Sequence, residues 1–198
     1  MTVYEATFET IDVTQDSPDP QPTCHCCGKP IPEGTLAWDI EEPDPLAYLS
    51  ESERAANLVV QTRAIVQVKG LGNFIRAILP VPVEHDRQAT FGVWLCITEP
   101  GEWGRVLDAG KQGGDAWAGL KFAGRLVTAL RPWPDIFGVW TQAVVPAADK
   151  VPQLVHSVDP LLAHVLTNVW PEDVIRLDRG THEPRDMEGG PTPNPYAD

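Results

Sequence analysis

The stretch that decides the fold is Phe74-Ile75-Arg76-Ala77-Ile78-Leu79-Pro80-Val81-Pro82-Val83, which leads through a polar turn, Glu84–Gln88, into Thr90-Phe91-Gly92-Val93-Trp94-Leu95-Cys96-Ile97-Thr98. Two β-branched and aromatic runs separated by a short polar segment read as a strand, a turn and a return strand. Pro80 and Pro82 cannot donate to a ladder, so the end of the first strand should be an edge or a bulge. The second run is the most apolar of the chain and should be central. Upstream, Leu58 to Val68 reads as another strand, joined to Phe74 by the turn Gly70-Leu71-Gly72-Asn73. Downstream, Ile136–Val145 and Val151–Val158 continue the pattern, while Trp117–Leu130 fits helix or strand equally. Strand follows strand without regular βαβ alternation. The fold class expected is α+β, with an antiparallel sheet of five to six strands over about residues 58–158 and a few short flanking helices.

The helices are marked by their starts. Ser50-Glu51-Ser52-Glu53 is a capping box opening a helix to about Asn57. Pro100 starts a second helix, running to about Ala109, and Lys111–Asp115 reads as a flexible loop. Asp159-Pro160 supplies an N-cap and a first-turn proline. Leu161, Leu162, Val165, Leu166 and Val169 then share one face, so Asp159–Asn168 should be an amphipathic helix on the sheet. His164 lies away from that stripe and should face solvent. At the ends, residues 1–23 form an N-terminal extension: a short strand at Val3–Val13 and a proline-rich linker. Residues 24–177 make the single domain, and 178–198 read as a disordered tail with almost nothing to bury. Asp39–Pro45, rich in acid and proline, reads as a solvated loop.

The 198 residues carry 15 Lys+Arg against 28 Asp+Glu, a formal charge of −13, with a pI near 4.7. Such a surface repels a phosphate backbone, which argues against nucleic acid and anionic membranes. The longest apolar runs are far shorter than the ~20 residues that span a bilayer. No basic segment followed by an apolar one opens the chain, so a cytoplasmic location without a secretory signal is expected.

Three of the four cysteines lie together in Cys24-His25-Cys26-Cys27-Gly28-Lys29. Clustering reads as metal binding or redox chemistry rather than a disulfide framework. Cys24 and Cys27 have the spacing that aims two thiolates at one zinc ion, with Cys26 or His25 as further candidates. A structural zinc needs four ligands, and no second C-x-x-C is present; Cys96, His85, His156, His164 and His182 fall in no ligand spacing. Pro30 and Pro32 follow at once, so no helix dipole is available to activate a thiol. The reading preferred from spacing alone is a packed remnant of a metal turn. Cys96, inside the apolar strand, reads as a small core residue.

The order of these segments resembles a bacterial family, domain of unknown function 2199. The residues that carry the resemblance are the Cys24–Lys29 turn, Tyr48 with Glu51–Arg54, Phe74-Ile75-Arg76-Ala77, Pro80-Val81-Pro82-Val83 and Phe91-Gly92-Val93-Trp94-Leu95. Gly124-Arg125-Leu126, Leu130, Trp133-Pro134-Asp135 and Asp159-Pro160-Leu161 follow, so that roughly residues 24–175 are covered. Members often have a histidine shortly after the Cys-Gly unit and another before the late Pro-Leu. Pro30-Ile31-Pro32 and Asp159 stand there in this chain. The resemblance therefore implies that a metal held through those histidines is lost here, and it implies no activity.

Three functions are weighed. The first is a non-catalytic acidic binding or regulatory module, of the kind of immunity proteins and inhibitors, engaging a basic protein partner. The second is a zinc- or thiol-dependent enzyme centred on Cys24 and Cys27. The third is a structural subunit of a larger assembly. No G-x-S-x-G, H-E-x-x-H or H-x-E with P-C-x-x-C motif is present, which weighs against catalysis. Arg76, alone among apolar strand residues, is a candidate anion-binding cation; the competing reading is a sheet-surface arginine paired with an acid. Trp103, Trp117 and Trp133 fall in or beside predicted loops and are candidates for a partner surface, against the plainer reading of lids over the sheet ends.

Overall fold

The structure, a computed structural model, describes residues 36–176. The N-terminal extension, the Cys24–Cys27 turn and the tail at 178–198 lie outside the described residues. The longest hairpin is the one the deciding stretch predicts. Strands β4 (Gly72–Val83) and β5 (Arg87–Ile97) pair antiparallel along their whole length, from Asn73 opposite Ile97 to Val83 opposite Arg87. His85 and Asp86 turn the chain between them at positive φ, 63° and 53°. Two-residue alternation then divides the side chains. Ile75, Ala77, Leu79 and Val81 lie opposite Leu95, Val93, Phe91 and Ala89 in the larger core. Phe74, Trp94 and Cys96 point the other way into a smaller core with Leu46, Val66 and Val127.

The hairpin continues as a meander: β6 (Lys121–Leu126), β7 (Trp140–Val144) and β8 (Gln153–Ser157), each antiparallel to the strand before it. Strand β8 then returns to β4, with Ile78 opposite Gln153, and closes five strands into a barrel. With an odd number of strands, up-and-down alternation cannot be satisfied all the way round. One junction must be parallel, and it is β4–β8. Three further strands extend the sheet to eight: β1 (Leu36–Asp39) lies parallel beside β5, and β2 (Leu58–Gln61) and β3 (Ile65–Val68) extend from β4. The fold is α+β, as the patterning predicts. Closure and two additional strands are what the pattern does not reveal.

The prolines of β4 obey the ladder. Arg76, Ile78 and Glu84 send their N–H groups away from β5, to the carbonyls of Ala64, Pro152 and Trp170. Pro80 and Pro82 share that parity, so each lacks an N–H on the side where pairing is sparse.

Several expectations are corrected. Leu58–Val68 is two strands, not one. Thr62 makes the turn: its hydroxyl accepts from the N–H groups of Ala64 and Ile65, at 3.2 and 2.9 Å. A threonine doing the work of glycine leaves no Gly or Pro signal to read. Asp39–Pro45 is not a solvated loop. Asp39 ends β1, and Asp44 begins the short helix α1 (Asp44–Ala47), where its carboxylate accepts from the Ala129 N–H at 2.7 Å while Pro45 and Leu46 are buried. Lys111–Asp115 is largely helical, shared between the end of α3 (Pro100–Gln112) and the start of α4 (Gly114–Trp117). Trp117–Leu130 contains a strand only at Lys121–Leu126, between the end of α4 and an irregular segment, and Ile136–Val145 shortens to β7 because Pro134–Ile136 takes a 3-10 turn.

The capping signals hold. Ser50 and Glu53 form the reciprocal box at the start of α2 (Glu51–Asn57). Asp159 accepts from the Leu162 N–H at 2.9 Å at the start of α5 (Pro160–Thr167), which buries Leu162 and Val165. His164 is exposed as expected, but Val169 lies past the helix end and is 64% exposed. The last helix, α6 (Glu172–Arg176), is tied to the barrel by Glu172, which pairs with Arg87 of β5 at 2.6 Å.

Candidate functional site

Arg76 occupies an even position of β4, on the smaller-core face, and is 5% exposed. Its anion is supplied by the chain itself: the guanidinium pairs with Asp39 at the end of β1. The same group lies over the Trp94 ring at 5.9 Å, and its second amino nitrogen donates to the Arg63 carbonyl at 3.4 Å. Trp94 is itself fixed, with the indole N–H on the Ile40 carbonyl at 2.9 Å and the backbone N–H on the Thr128 hydroxyl at 2.8 Å. Gly92 explains its place in an apolar strand. It lies opposite Asp39 in the ladder, and a Cβ there would stand 3.2 Å from an Arg76 amino nitrogen and directly against the Asp39 carboxylate. The bare backbone makes the space in which the pair sits. Arg76 is thus neither on the sheet surface nor open to an external anion. It fastens β1 to the hairpin, with a buried charge that needs its partner.

Of the three tryptophans that are candidates for a partner surface, Trp103 and Trp133 pack inside the larger core, in keeping with the plainer reading of lids, at 6% and 3% exposure. Trp117 is half-buried and donates its indole N–H to the Lys150 carbonyl at 3.0 Å. The physical reason is size: the helix and the turn that carry them must cover the interior of a small barrel, and a large aromatic covers most. Trp38 stacks on Phe91 at 4.7 Å, Phe91 meets Trp133 edge-on at 5.7 Å, and Trp133 meets Trp170 edge-on at 5.0 Å. One aromatic file therefore joins β1, β5, the 3-10 turn and the segment before α6.

The exposed tryptophan is one that sequence reasoning missed. Trp140 opens β7, is 37% exposed, and lies opposite Arg125 of β6, whose guanidinium sits 5.0 Å from the ring centre. A signal was present. Thr141 and Ala143 are buried while Trp140 and Gln142 face outward, so alternation alone places a tryptophan on the polar side. This pair divides two clefts that share Thr98. One, of about 270 Å³, is lined by Glu99, Glu102, Ala123 and Trp140. Glu102 in it accepts from the Ala123 N–H at 3.2 Å and from Arg105 at 2.8 Å, whereas Glu99, exposed at the start of α3, makes no capping bond. The other, of about 650 Å³, runs from Arg125 past Cys96 to the β3–β4 turn.

Burial pushes the Cys96 thiol up from its ordinary value, against the opposing pull of the Asn73 backbone bond and the Arg125 charge. A raised pKa keeps the thiol protonated and slow to react at neutral pH. The stability it contributes is full below the unfolded value of about 8.5 and is lost as pH rises through the higher folded value. Iodoacetamide at neutral pH should therefore leave Cys96 unmodified in the native protein and label it in urea, as read by peptide mass mapping. Equal labelling in both states would contradict the burial.

Among the described residues no three His, Cys, Asp or Glu side chains are grouped to hold a metal ion, and no helix is long and apolar enough to cross a membrane. Cys24, His25, Cys26 and Cys27 lie outside these residues. The structure thus defines an α+β protein on a closed five-strand barrel, with a buried Arg–Asp clasp and an Arg–Trp pair at its rim. A family model described as an uncharacterized protein conserved in bacteria, DUF2199, matches residues 23–168, and the chain belongs to that family. No curated protein matches the chain, and no solved structure matches it either.

Proposed function

We propose that this protein is a non-catalytic binding or regulatory module of the cytoplasm, with a basic protein as its partner. The observation that carries the reading is the smaller rim cleft, where the exposed Trp140 stands beside Glu99 and Glu102 in a chain of charge −13. A lysine or arginine side chain entering that cleft meets an aromatic wall and a carboxylate, the two groups that together favour a desolvated cation. Tryptophan in such a position is the residue type most often responsible for binding energy at protein contacts. The net negative charge of the chain would speed encounter with a basic partner and make the rate sensitive to salt.

The test is affinity capture with the full chain, wild type beside Trp140→Ala and Glu99→Gln. The expected result is a basic protein retained by wild type, weakened about tenfold by either variant and further by added salt. Retention indifferent to both variants and to salt would remove the reading. A second reading, zinc or thiol chemistry at Cys24 and Cys27, is favoured by their C-x-x-C spacing alone. It requires the purified chain to carry zinc and to lose melting temperature on chelation, because metal affinity adds to folding free energy. A melting temperature unmoved by chelator leaves the binding module standing.

A further inference from the structure

The larger rim groove has a charge opposite to that of the molecule. Acids outnumber bases 28 to 15, yet the groove is lined by Lys69 and Arg125 and, among the described residues, by no carboxylate. Arg54, Arg76, Arg87, Arg105 and Arg176 each face a carboxylate. Arg125 faces none among the described residues. Its guanidinium is held instead by the Gly138 carbonyl at 3.2 Å and by the face of Trp140, contacts that orient the group without pairing its charge with a carboxylate of the described residues. Lys69 stands exposed at the β3–β4 turn, also without a carboxylate partner among the described residues. Asn73 and Thr98 also line the groove. The approach is close at the floor, where a Cβ on Gly72 would stand 2.9 Å from the Cys96 sulfur.

We propose that this groove binds a small anionic ligand, with a carboxylate or phosphate group held by Arg125 and Lys69. A pre-oriented guanidinium matches two oxygens of either group, and the Lys69 ammonium lining the same groove adds a second cation. The volume, about 650 Å³, is within the range of sites that hold small molecules. The net negative charge of the molecule does not forbid this. At physiological ionic strength charges beyond about 8 Å are largely screened, so the two nearby cations decide the local potential. The site differs from the protein contact proposed above, which uses the cleft lined by Trp140, Glu99 and Glu102.

The experiment is a titration of the full ¹⁵N-labelled chain, followed by amide shifts, with inorganic phosphate in one arm and succinate in another. Sodium chloride at matched ionic strength is the control. Saturable shifts at Lys69, Asn73, Thr98 and Arg125, absent with chloride, are expected in at least one arm. Response to phosphate alone identifies a phosphorylated ligand, and response to succinate alone a carboxylate; either supports the site. Lys69→Gln and Arg125→Gln should each weaken binding about tenfold, with Arg125→Lys retaining part of it. Lys69 is exposed, so its variant tests the site even if loss of Arg125 disturbs Trp140. Shifts no larger than those with chloride, or wild-type affinity in the Lys69 and Arg125 variants, would overturn the proposal.

Discussion

Asp39→Ala should lower the unfolding free energy by about 3 kcal/mol, at the low end of the range for breaking a buried ion pair because Asp39 stays partly exposed. The loss comes from what is left behind. Arg76, its side chain only 6% exposed, keeps a full charge in a space enclosed by Trp94 and the β4–β5 ladder. Arg76→Met should cost less, because the carboxylate it leaves behind is partly exposed and can be hydrated. The double variant should cost far less than the sum, since two charges are then removed together. Urea unfolding of the four proteins in the cycle measures this, and additive costs would show that the pair is not coupled. Gly92→Ala belongs to the same test: a methyl group there displaces the carboxylate and should resemble the Asp39 variant.

The second large effect is at Phe91. Phe91→Ala should cost about 3–5 kcal/mol, the usual range for truncating a fully buried aromatic. Phe91 is the link between Trp38 and Trp133, so its loss also removes a stacked and an edge-on contact. Each such contact contributes about 0.5–1.5 kcal/mol beyond burial. Tryptophan emission reports the change directly, because water reaching the vacated space shifts it to longer wavelength. Phe91→Leu should cost less and leave the emission nearer to wild type. A Phe91→Ala protein that melts with wild type would mean that the aromatic file is not part of the core.

What the residues disclose, and what they withhold, follows from how far each signal reaches along the chain. The β4–β5 hairpin, the Ser50 capping box and the Asp159-Pro160 helix start are local patterns, complete within a dozen residues, and each is found where the pattern puts it. Barrel closure depends on Ile78 meeting Gln153, and nothing near either residue announces the other. Arg76 was legible as unusual, but its partner Asp39 lies in an acidic stretch that reads as loop. Only the alignment of β1 beside Gly92 explains both. Trp133 looks like a loop residue in the sequence, and Trp103 like the start of a short helix beside one, yet both are core residues in space, because the segments over a small barrel are its lids. Trp140 could have been found by counting alternate positions in β7.

The parallel junction that closes the barrel has a consequence for the growing chain on the ribosome. Strands β4 to β7 appear in the order in which they pair, so each can dock on its predecessor as it emerges. The last stave is different. Until residue 153 has been made, the outer edge of β4 has no neighbour at Ile78, and until residue 160 there is no α5 to pack across β4 and β8. A nascent chain stopped short of that point is an open, curved sheet with an unsatisfied flank. The two prolines at positions 80 and 82 sit on that flank and offer no N–H to a stray strand. They protect during synthesis an edge that the finished barrel hides.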